Sequence, residues 1–143
     1  MPASTLEKNR LLNFNFGNTA YGTDDGGNLT PNPGQLWFGL ALALVTATTT
    51  GTTVVEPTVG SYARVNYDNN KTTWSVSSAN SLYNAIAIDF VKSTAAQGIA
   101  LSLFIANAVT AGDILWYQTL SPSIVIQNST VVSFEPNTII ITM

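Results

Sequence analysis

A chain of 143 residues with a formal net charge of −3 and only 9% charged residues is sized for one domain and is far less charged than the quarter or so usual for soluble proteins. It contains neither histidine nor cysteine. That excludes disulfides, thiolate-ligated or histidine-ligated metal sites and Ser-His-Asp or Cys-His catalysis, and the net charge leaves no basic footprint for nucleic acid. Thr, Asn and Ser supply most of the polarity, which suits strands and turns. A surface so poor in charge repels neighbours weakly and fits a protein that packs against others. The longest apolar run, residues 36–45, is half a membrane span. Residues 1–10 lack the apolar stretch of a signal peptide, so synthesis in a cytoplasm and no membrane association are expected.

Residues 4–16 read as a short helix. Ser4, Thr5, Leu6 and Glu7 fit the capping box, and the spacing of Leu11, Leu12, Phe14 and Phe16 gives one apolar side. A helix this short needs something to dock on, and these four residues are candidate contacts with another subunit. Residues 18–34, rich in Gly and Pro, read as loop. Asp24 and Asp25 lie there without calcium-loop spacing, so no metal is expected. Residues 36–45 predict a buried central strand with Leu40, Leu42 and Leu44 on one face. Residues 46–53, T-A-T-T-T-G-T-T, predict an exposed connection.

Residues 54–68 carry the only charged pair in the middle of the chain, Glu56 and Arg64. Pro57 and Gly60 mark a turn, and alternation after Gly60 predicts a strand with Tyr62 and Arg64 on the same face. A half-buried arginine needs a partner, and Glu56 is the nearest in sequence. We read the two as a structural ion pair, the competing role being a ligand-binding arginine.

Further strands are predicted at 85–91, 99–106, 114–120, 124–126, 131–134 and 138–142, with loop at 77–83. Trp74 is expected to cover the end of the core. Ile99, Leu101, Leu103 and Ile105 are expected on one face. Many short strands, evenly punctuated, with one short N-terminal helix predict a mainly β fold: an antiparallel β-sandwich, jelly-roll-like. Residues 1–34 form a helix-and-loop arm and 35–143 the sandwich domain.

Paired carboxylates are the one catalytic device the composition leaves open, through Glu56, Asp68, Asp89 and Glu135. Eight acids in a domain of this size are ordinary. No catalytic residue, cofactor or metal is expected, and the aromatic residues read as core.

Four stretches carry a resemblance. They are E-K-N-R-L-L-N-F-N-F-G-N-T-A-Y at 7–21, L-W-F-G-L-A-L at 36–42 and E-P-T-V-G-S-Y-A-R-V at 56–65. The fourth runs from A-I-A-I-D-F at 85–90 to D-I-L-W-Y-Q-T-L at 113–120. Together they cover nearly the whole chain, which resembles a family of small bacteriophage virion proteins labelled phage tail fibre protein or capsid decoration protein. The chain departs from the family at 18–34 and 46–53. The resemblance implies a structural role in the phage particle and no reaction. The leading expectation is a capsid cement protein binding the major capsid protein as a homo-oligomer, dimer or trimer. The alternative is a tail-associated adaptor or receptor-binding module.

Overall fold

The computed structural model describes Phe16, residues 34–75 and residues 78–142. The antiparallel, mainly β class expected from the sequence is observed. The helix at 4–16 and the loop at 18–34 lie outside the described residues, apart from Phe16 and Gly34. The strands are β1 (Gln35–Ala41), β2 (Val65–Asp68), β3 (Ser81–Tyr83), β4 (Ile88–Asp89), β5 (Gly98–Ala106), β6 (Ile114–Ile126), β7 (Ser133–Phe134) and β8 (Ile140–Thr142). The described residues fall into two compact units. One holds Leu36–Tyr67 and Asp89–Ser133, and the other holds the described parts of Met1–Gln35, Asp68–Ile88 and Phe134–Met143.

The first unit is built on a four-stranded sheet in the order β2-β1-β5-β6. β1 and β5 pair antiparallel, with Phe38 opposite Ile105 and Leu40 opposite Leu103 on one face, and Gly39 opposite Phe104 on the other. Both faces are buried there. Leu36, Phe38, Leu40, Leu103 and Ile105 are at most 1% exposed, and so are Ala41, Ser102, Phe104 and Ala106. β1 thus reads as the near-continuous apolar run typical of a strand covered on both sides.

Gly39 is a packing requirement. A Cβ at this position would overlap the Phe104 ring, so the ring occupies the space that a side chain would need.

Several boundaries differ from the sequence reading. The strand expected over 36–45 stops at Ala41, because Leu42 N donates instead to Val55 O at 2.8 Å and the chain turns away. Val45 still reaches the core, packing with Ala41, Phe104 and Ala106, while Leu44 is 59% exposed. The threonine-rich connection is organised by its own hydroxyls. Thr46 N donates to Thr49 Oγ1 and Thr50 N to Thr53 Oγ1, while Thr49 N and Thr53 N return to the carbonyls of Thr46 and Thr50, giving two successive side-chain-capped turns.

Ile99, expected to share a buried face with Leu103 and Ile105, is 49% exposed. The register slips between Ala100 and Ser102, and burial on both faces begins only beyond that slip. The strands expected at 114–120 and 124–126 are one strand, β6. Thr119 faces Ser102 and Ile124 faces Ala100, so residues 120–123 bulge past a single partner. This segment contains Pro122, after a cis Ser121–Pro122 bond. β6 lies at the sheet edge, where a missing N–H costs the sheet no ladder bond.

The second unit is organised by a buried amide. Asn84 is fully buried. Its Nδ2 donates to the carbonyls of Ile86, Phe134 and Glu135 at 2.9, 3.4 and 2.8 Å, and its Oδ1 accepts from Ile139 N at 2.8 Å. Its main chain bonds Ile139 and Asn137. These bonds pull residues 85–87 into a bend, so the strand expected over 85–91 shrinks to Ile88–Asp89. Residues 71–73 form a turn, and Trp74 makes a lone bridge to Asn84.

The loop expected at 77–83 contains β3, which pairs antiparallel with β8, Leu82 opposite Ile141. Ala79 and Asn80 have φ of 50° and 64°, and Ser78 and Ser81 exchange backbone bonds at 2.9 Å across that turn. Trp74 is fully buried, and Phe16 meets it edge-on with ring centroids 5.7 Å apart.

Replacing Asn84 by Leu removes the donor and acceptor and leaves buried carbonyls and an amide unmet. We expect a loss of about 3 kcal/mol in urea or thermal unfolding, whereas Val131→Thr, at an exposed position, leaves stability within about 0.5 kcal/mol.

Candidate functional site

The structure brings Glu56 and Arg64 together within the first unit. Gly60 and Ser61 have φ of 72° and 62°, and Tyr62 N closes the turn on Val59 O at 3.4 Å. The strand begins only at Val65, so Tyr62 and Arg64 precede it. Both nevertheless reach Glu56. Arg64 meets the carboxylate in a fork, Nε to Oε1 at 3.0 Å and Nη2 to Oε2 at 2.8 Å. Tyr62 Oη donates to Oε1 at 2.7 Å and accepts from the Leu40 amide at 2.9 Å.

A guanidinium has five N–H groups. The remaining three also find acceptors: Nη1 donates to Ala108 O at 2.9 Å and Ala111 O at 3.0 Å, and Nη2 to Gly51 O at 3.1 Å. Gly51 comes this close to the 111–112 turn only without a Cβ, which would overlap Ala111 O. Ala111 itself has φ of 52°. The guanidinium carbon sits 5.0 Å from the centre of the Phe104 ring, the ring admitted by Gly39, where the ring quadrupole favours a cation.

The Arg64 side chain is 2% exposed and that of Glu56 21%. With every donor used, Arg64 has no N–H to offer a ligand. Burial, reinforced by the Glu56 charge and hydrogen bond, pushes the Tyr62 hydroxyl well above the usual tyrosine range.

Beside this cluster lies an open depression of about 430 Å³. Thr52, Thr58 and Thr110 line it together with Val54, Pro57 and Val109, and Glu56 is its only acid. The other carboxylates considered for catalysis lie elsewhere in the chain. Asp68 accepts from Gln35 Nε2 at 3.4 Å, and Asp89 from Ser133 Oγ. Glu135 offers its main-chain carbonyl to Asn84. Among the described residues no three acidic side chains gather to hold a metal. Leu11, Leu12 and Phe14 lie outside the described residues, and Phe16 is packed on Trp74 of its own chain. Sequence reasoning did not reach Gly39, Gly51, Phe104 or the carbonyls of 108 and 111. Only a glycine within an otherwise apolar strand pointed to the close approach at 39.

A family model described as podophage GP4 fiber I protein gp80 matches residues 2–142. The chain belongs to this family. No curated protein matches it. As a member of the fiber I family it is a phage structural protein of the virion.

In this fiber I family protein, Arg64→Ala strands a carboxylate and three carbonyls. Unfolding measurements should show a loss of about 3–5 kcal/mol, and Arg64→Lys should recover only part, because an ammonium lacks the planar fork.

A second expectation concerns alkali. Tyr62 titrates higher in the folded than in the unfolded chain, so its contribution to stability is complete below about pH 10 and drains away as pH rises beyond it. Urea midpoints measured from about pH 8 to 11 should fall at the alkaline end. Tyr62→Phe should start from a lower midpoint and fall less steeply.

Proposed function

We propose that this protein is a structural subunit of a tail-attached fibre that works by assembly and catalyses no reaction. The match of residues 2–142 to a fibre family carries the reading. Two features support it. The one buried cation of the site has all its donors committed within its own subunit. The sequence, without His or Cys and with 9% charged residues, favours packing against other proteins over ligand chemistry. The capsid-cement arrangement, with the major capsid protein as partner, draws on the same low charge and differs in location and number.

Both are read from purified particles. Immunogold labelling and quantitative mass spectrometry should place the protein at the tail, in copies well below those of the major capsid protein. Label over the head at a copy number comparable to the shell protein would overturn the fibre reading and establish the cement one.

A further inference from the structure

We draw no further inference here: the strongest candidate, the open depression beside the Glu56–Arg64 pair, walled by residues 51–58 and 109–110, belongs to the site already described, and nothing in the structure shows what fills it.

Discussion

A buried guanidinium sets conditions that a large part of the first unit has to meet. Arg64 is 5% exposed, and an arginine at that depth stays charged and needs an acceptor for each N–H. Glu56 supplies two, and the turns at 51 and 108–111 supply the carbonyls. Those acceptors come together only because Gly51 has no side chain and Ala111 takes a positive φ. The ring beneath the cation is in place only because Gly39 leaves room for it. A carboxylate, two turns and a glycine in the central strand are therefore tied to one side chain. Replacing an ion pair of this kind by apolar groups need not weaken a fold, whereas removing one partner does. The value of the pair lies in fixing which loops meet.

The second unit uses the same strategy with a neutral group. Asn84 offers two donors and an acceptor to carbonyls and an amide from three stretches of chain. A buried amide so fully met specifies position because its alternatives leave polar groups unpaired. In both units side-chain hydrogen bonds to main chain hold what the ladders do not.

Such a molecule suits a particle. Among the described residues, loops are fastened by side-chain hydrogen bonds, down to the threonine turns at 46–53 that cap themselves. Its charge is concentrated in few side chains. What it presents outward includes an uncharged strand edge and scattered apolar side chains such as Val55, Val91, Val109 and Val125. A phage structural protein meets its partners at high local concentration, where weak repulsion between surfaces is an advantage.

The sequence by itself determined the class of the fold and the pairing of Glu56 with Arg64. Period-two alternation, frequent turn residues and the scarcity of charge require β-structure with covered faces. A lone arginine near a lone glutamate, separated by a turn, has few other ways to be buried. It determined the central strand as well, since a run such as L-W-F-G-L-A admits burial on both faces. The tertiary structure decided the rest, because the causes are distant in sequence. The 85–91 strand is cut short by an asparagine whose acceptors lie some fifty residues away. β3 is a strand because Leu82 finds Ile141, with no alternation of its own to announce it. The remaining acceptors of Arg64 are backbone carbonyls, which every residue has, so no residue type marks them. Strand edges depend on neighbours, and neighbours are what local periodicity does not contain.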